Sequence, residues 1–163
     1  MVNRYLPHVL ILPEDDATRQ LANGFQMKID WSRQRQMQVL PEAGGWTNVL
    51  DLFESEHVTE MDRCPNRYMI LLIDFDGKRE RLQYAINRIP GNLSGRVFIL
   101  GALTQPEALR QAISGTYETI GKAMADDCRD NTDTIWGHAL LCHNAGELDR
   151  LRQHVSSILF PQI

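Results

Sequence analysis

Four short apolar runs, each followed by a segment of helical period, restrict what this chain can fold into more than any other feature. They are Val9-Leu10-Ile11-Leu12, Met37 to Leu40, Tyr68 to Ile73 and Arg96 to Leu100. Val9 to Leu12, apolar throughout rather than alternating, has the pattern of a strand buried on both faces, whereas Gln38 interrupts the second run. Pro7 and Pro13 bound the first, and Pro41 closes the second. After the first run, Asp15 and Asp16 offer N-cap oxygens, and Leu21, Ala22, Phe25 and Ile29 recur at helical spacing, which predicts a helix to about Lys28. After the second, Gly44-Gly45 opens a segment in which Val49, Leu50 and Phe53 share one face. After the third, Leu82, Ala85, Ile86 and Ile89 predict a helix over 79–89, stopped by Pro90-Gly91-Asn92. After the fourth, Pro106 suits the first turn of a helix carrying Leu109, Ala112 and Ile113. Strands alternating with helices of this length are joined by right-handed crossovers. The expected architecture is therefore α/β: three layers around a mainly parallel four-stranded sheet, with the third strand central.

Beyond Gly115 the strand pattern stops, and helices are expected at 117–127, 134–141 and 147–160. In the last of these, Leu148, Leu151, Val155, Ile158 and Leu159 form an apolar stripe that should pack on the domain itself. The reading is one domain over 1–163, with an α/β core at 7–113 and a helical extension at 115–163. A chain of 163 residues can bury such a core without help from metal or disulfides. Cys64, Cys128 and Cys142 are odd in number and widely spaced, which fits reduced thiols better than a disulfide framework. No apolar run approaches the roughly 20 residues of a membrane span, and Met1 to Pro7 lacks the h-region of a secretory signal. A cytoplasmic protein with no membrane partner is expected.

Topology gives the charged residues their meaning. In a parallel sheet every strand ends at the same edge, and ligands collect outside those ends. Glu14 lies just past the first strand, Asp74 and Asp76 close the third, and Glu107 lies past the fourth. Acids far apart in sequence should thus meet at one edge. Alternation along an extended segment would put Asp74 and Asp76 on one side, with Phe75 turned into the core. Oxygen ligands without a nearby Cys or His pair favour Mg2+ or Mn2+ over zinc. The competing structural account is that these acids cap helices and solvate strand ends. Clustered carboxylates repel unless a cation offsets them, which favours the metal.

The ordered set resembles the Toprim domain, the catalytic module of topoisomerases, bacterial primases and OLD-family nucleases. Leu12-Pro13-Glu14-Asp15-Asp16 looks like the first-strand glutamate of that family, followed by a helix-starting acid. Ile73-Asp74-Phe75-Asp76-Gly77 looks like its D-x-D, and Gly44-Gly45 like the small-residue loop between them. Phe98-Ile99-Leu100 to Pro106-Glu107 resembles the OLD-type subgroup, in which a glutamate after the fourth strand supports a second metal. The likeness covers roughly Pro7 to Ile113. Pro13 stands where the family often has a small residue or valine, and Trp46 follows the glycine pair where lysine or serine is common. The resemblance implies a Toprim-like, Rossmann-like fold and Mg2+-assisted phosphodiester chemistry on DNA or RNA. Glu14, Asp74 and Asp76 would be the catalytic metal ligands, and Glu107 would hold a second ion. Lys78, Arg79, Gly44 and Gly45 would steady phosphate, with Lys28 a weaker candidate. It also implies a stand-alone effector or a subunit working with a separate ATPase.

Two other functions compete: a non-catalytic binding or regulatory protein that keeps this fold, and a receiver-like phosphoacceptor domain with Asp74 as the acceptor. A net charge of −4 supplies no basic surface for nucleic acid, so any such reading rests on the site. His138, Cys142 and His143, with Cys128 upstream, match no zinc spacing, and Trp136 and His138 are expected to pack the tail against the sheet. Asn144 is a candidate N-cap. A Cys64–His57 nucleophilic pair lacks an orienting third group, and no phosphate loop of the Walker or G-x-G-x-x-G type occurs.

Overall fold

The computed structural model describes residues 1–161. Among these, the four apolar runs become β1 (His8–Pro13), β2 (Met37–Val39), β3 (Arg67–Leu72) and β4 (Val97–Leu100). They form one parallel sheet in the order β2-β1-β3-β4. Alternate residues of each strand serve opposite faces. Val9, Ile11, Ile70, Phe98 and Leu100 point to one hydrophobic layer, and Leu10, Leu12, Met69, Leu71, Val97 and Ile99 to the other. Both layers are covered by helices, which is why the strands carry no polar alternation.

Helices α2 (Trp46–Leu52), α3 (Val58–Arg63) and α4 (Glu80–Asn87) cover the second face through Val49, Leu50, Met61 and Ala85. A π-helical turn at Phe53–His57 joins α2 to α3, which the sequence pattern did not reveal. Ala85 is fully buried, but Ile86 is 37% exposed, so the apolar face of α4 is narrower than its sequence predicts. The first face is covered by α1 (Asp16–Met27), α5 (Pro106–Ile113), α6 (Tyr117–Asp130), α7 (Ala145–His154) and α8 (Ser156–Leu159). Asp15 caps α1: its side chain accepts from the Thr18 amide at 2.9 Å, while Thr18 Oγ1 accepts from the Asp15 amide at 3.1 Å. Asp16 instead pairs with Arg19.

The C-terminal residues are not an appendage. Ile120, Met124, Ala125, Leu148, Leu151 and Val155 complete the core of the first face. Helices α1 and α6 cross at two glycines. A Cβ on Gly24 would lie 2.1 Å from Glu118 O, and one on Gly121 would lie 2.0 Å from Leu21 O, so backbone meets backbone.

The expected helix at 134–141 is absent; the segment runs as turns. Asp127 explains it. Its carboxylate accepts the amides of Ile135 (2.7 Å) and Trp136 (3.1 Å) and the Thr132 hydroxyl (2.6 Å), offering the backbone a partner other than a helix. The expected helix at 147–160 is two, α7 and α8, broken at the fully buried Val155.

Asn144 precedes α7 but makes no side-chain cap. It turns to the outer edge of β4, where its Oδ1 accepts from the Gly101 amide (3.1 Å) and its Nδ2 donates to the Gly101 carbonyl (3.0 Å). One turn on, Glu147 Oε2 accepts from the Ile99 amide at 3.0 Å. One turn further, Arg150 donates to Ser94 O and lays its guanidinium over Phe98. A stripe of polar side chains on α7 therefore occupies the place a fifth strand would take.

At the opposite end of the sheet His8 is fully buried. The Arg67 Nε–H can only donate, so His8 Nε2 accepts it (3.0 Å) and Nδ1–H donates to Leu6 O (2.8 Å); the ring is neutral. Burial, reinforced by the charges of Arg67 and Arg4, holds its pKa below 6.5. A histidine depressed in the folded state contributes stability that is complete above pH 6.5 and is lost as the pH falls below it. His57 and His143, also depressed by burial, act in the same direction. The melting temperature is therefore expected to drop between pH 6.5 and 5, and His8→Gln to flatten part of that drop.

Candidate metal centre at the sheet edge

The chain leaves β1 toward β2 on one side, then returns across β1 to β3 on the other. The C-terminal ends of β1 and β3 are thus the point where strand order reverses, and there the two loops diverge and leave a crevice. Glu14 follows β1 and Asp74 follows β3. The Asp74 amide donates to Glu14 Oε2 at 2.6 Å, so the Glu14 carboxylate lies against the backbone of Asp74, near enough for its charge to act on the Asp74 carboxyl.

The loop that carries Asp74 is held rigidly. Beyond β3 its amides continue to pair with the end of β4 and the chain after it: Ile73 N–H to Leu100 O (3.0 Å), Phe75 N–H to Ala102 O (3.1 Å) and Gly77 N–H to Leu103 O (2.7 Å). Gly101 permits this approach, since a Cβ there would fall 1.6 Å from Ile73 O. Phe75 is buried, as expected. Asp76 breaks the alternation. It adopts φ 50°, in the left-handed region, because β3 has ended and a turn has begun. Its side chain is 49% exposed and lies 3.7 Å from Arg81 Nη2.

Asp74 is the most perturbed acid of the site. It is 8% exposed, and its Oδ1 has no hydrogen-bond partner. Burial first, then the charges of Glu14, Asp15 and Glu107, push its pKa up to about 8, against a smaller opposing pull from Arg81. Burial also raises Glu14. Two carboxyls in one crevice, each disfavoured as an anion, make a site that gains from a cation.

Arg81 is the cation that reaches these acids, and sequence reasoning passed over it. Its Nη1 donates to the Asp74 carbonyl at 2.8 Å, and its guanidinium lies 4.6 Å from the Trp46 ring centre. The clue was its place one turn into the helix after Asp76-Gly77. Lys78 and Arg79 are exposed and make no ion pair among the described residues. Lys28 follows the far end of α1 and pairs with Asp126 at 3.3 Å, away from the crevice. The amides of Gly44 (2.8 Å) and Gly45 (3.3 Å) both donate to the Glu14 carbonyl, so they fix the glutamate's backbone and do not face a ligand.

Glu107 lies in the first turn of α5 and, with Asp76, lines an open cleft of about 370 Å3 beside the crevice. Thr104 lines it too, with a hydroxyl that has no partner. The expected gathering of Glu14, Asp74 and Asp76 around one ion is not what the geometry gives. Among the described residues no three Asp, Glu, His or Cys side chains converge tightly enough to hold a metal. Glu14 meets the backbone of Asp74, and Asp76 and Glu107 line the cleft alongside. Mg2+ commonly binds through one or two carboxylates plus waters and substrate phosphate, which suits a pair with an orphaned oxygen.

The other reactive side chains lie elsewhere. Cys128 is buried, and burial pushes its thiol up to about 11; Cys142 is exposed; His143 stands edge-on to Phe75, 5.0 Å between ring centres. Among the described residues no helix is long and apolar enough to cross a membrane. The chain matches no family model, no curated protein and no solved structure.

Proposed function

We propose that the chain is a Mg2+- or Mn2+-dependent phosphodiester-cleaving protein of Toprim type that acts on nucleic acid. The observation that carries this is Asp74: a buried carboxyl with an unpartnered oxygen, within reach of the Glu14 charge at the point where strand order reverses. Such a carboxyl is costly to ionise and gains most from a divalent cation. Glu14 and Asp74 would hold the ion, and Asp76 and Glu107 would face its waters or a second ion from the cleft. Bound there, the metal would polarise a phosphate and supply charge to the leaving oxygen. The chain's own part is to fix the two acids: Gly44 and Gly45 anchor Glu14, the chain after β4 anchors Asp74, and Arg81 holds the Asp74 carbonyl.

The raised pKa of Asp74 gives a direct test. At pH 7 the metal-free group carries its proton, and a bound cation displaces it. Calorimetry with Mn2+ in two buffers of different ionisation enthalpy is expected to show about one proton released per ion at pH 7 and fewer at pH 9. Affinity should rise across the same interval. Absence of Mn2+ binding, with no cleavage of single- or double-stranded DNA or RNA, would remove this function from consideration.

A further inference from the structure

The acidic crevice has an aromatic neighbour. Trp46 is the first residue of α2, directly after the glycine pair that grips the Glu14 carbonyl, and its own amide helps steady the Glu14 carboxylate. Tyr84 lies on α4, one turn past Arg81. The two rings pack edge to face, 5.5 Å between centres at 72°, and Arg81 lies over Trp46 while reaching back to Asp74 and Asp76. Beyond Tyr84, Arg88, just past α4, pairs with Asp51 of α2 (2.9 Å) and Glu54 of the π-helical turn (2.7 Å). The seam between the helices is thus fixed by charge at one end and by the crevice at the other. Tyr84 nevertheless leaves 49% of its surface in solvent, beside Trp46, which is half-buried.

A half-exposed tyrosine ring beside the acidic crevice, held edge to face against a tryptophan whose own face is taken by Arg81, has the form of a stacking platform. Stacking on aromatic side chains needs an unpaired base, because a duplex hides the faces of its bases. Lys78 and Arg79, exposed at the start of the same α4 segment, are free to meet backbone phosphates. Resting on the metal-dependent reading above, we propose that Tyr84, braced by Trp46, forms a base-stacking shelf that selects single-stranded over duplex nucleic acid for the acidic crevice.

The test is binding of a fluorescently labelled oligothymidylate and of its duplex with oligodeoxyadenylate, with Ca2+ in place of Mg2+. The full chain should bind the single strand at least tenfold more tightly. Tyr84→Ala should weaken single-strand binding roughly five- to a hundredfold, the range that base–aromatic stacking spans, and Tyr84→Phe should restore it. Tyr84→Leu, which refills the seam without a π face, should bind as weakly as Tyr84→Ala; circular dichroism confirms that each variant is folded. Equal affinity for single strand and duplex, or full affinity in Tyr84→Leu, overturns the shelf. Mn2+ calorimetry on the same protein separates the two ideas. Mn2+ binding without strand preference overturns the shelf alone. A Tyr84-dependent strand preference in a protein that binds no Mn2+ supports the shelf and overturns the metal.

Discussion

Asp74→Asn is expected to make the metal-free protein melt at a higher temperature at pH 8 while abolishing Mn2+ binding and any cleavage that depends on it. The sign follows from the raised pKa. In the unfolded chain the carboxyl ionises near 3.8, whereas in the folded chain it keeps its proton to about 8. Folding therefore binds a proton between these values, and stability falls as the pH rises through that window. Below pH 4 the group costs nothing, and above 8 the full cost is present. Asparagine never ionises, so the variant should gain about 2 kcal/mol at pH 8, once solvent screening has reduced the nominal cost. In a chain of this size that is about 4–8 °C. At pH 4.5 the two proteins should melt nearly together. Added Mn2+ should raise the melting temperature of the native chain and leave Asp74→Asn unmoved. A variant less stable than the native chain at pH 8 would mean that the Asp74 anion is well accommodated, and would remove the case for a cation.

Gly121→Ala is expected to be among the most damaging single-methyl changes in the molecule. Its Cβ would sit 2.0 Å from Leu21 O and 3.0 Å from Phe25 N, both backbone atoms of α1, so no side chain can swing aside. Helices α1 and α6 must separate, and with them the layer holding Leu21, Ile120 and Met124. The better helix propensity of alanine offsets at most about 1 kcal/mol. The expected net loss is about 3 kcal/mol or more, roughly 6–12 °C in melting temperature. Gly146→Ala provides the contrast. It lies in the first turn of α7 with nothing within 4 Å of the added carbon, and should be neutral or slightly stabilising. Thermal melts of the two variants side by side separate close packing from propensity.

Much of this architecture could be read from the chain alone, for identifiable reasons. Strands buried on both faces write themselves as unbroken apolar runs, and Pro7, Pro13 and Pro41 mark their ends. The meeting of Glu14 with Asp74 follows from parallel topology, because parallel strands finish at one edge. Asp76 escaped because alternation holds only while the backbone is extended, and at φ 50° it is not. Arg81 escaped because the helix, not the loop, delivers it to the acids. The turns at 134–141 escaped because Asp127, a residue of the preceding helix, competes for their amides. The α1–α6 crossing escaped because a glycine inside a helical pattern does not reveal which backbone it will meet. In each case the missing information was a contact between segments distant in sequence.

The polar stripe of α7 has a consequence for the order of synthesis. Strand β4 is complete at Leu100, yet the groups that satisfy its outer edge, Asn144 and Glu147, lie more than forty residues later. A nascent chain emerging from its N-terminus carries the Ile99 and Gly101 amides bare throughout that interval, open to pairing with any extended segment nearby. Arrival of α7 ends this exposure. The first turn of α7 is thus also the point at which a newly made molecule ceases to offer its neighbours a strand to join.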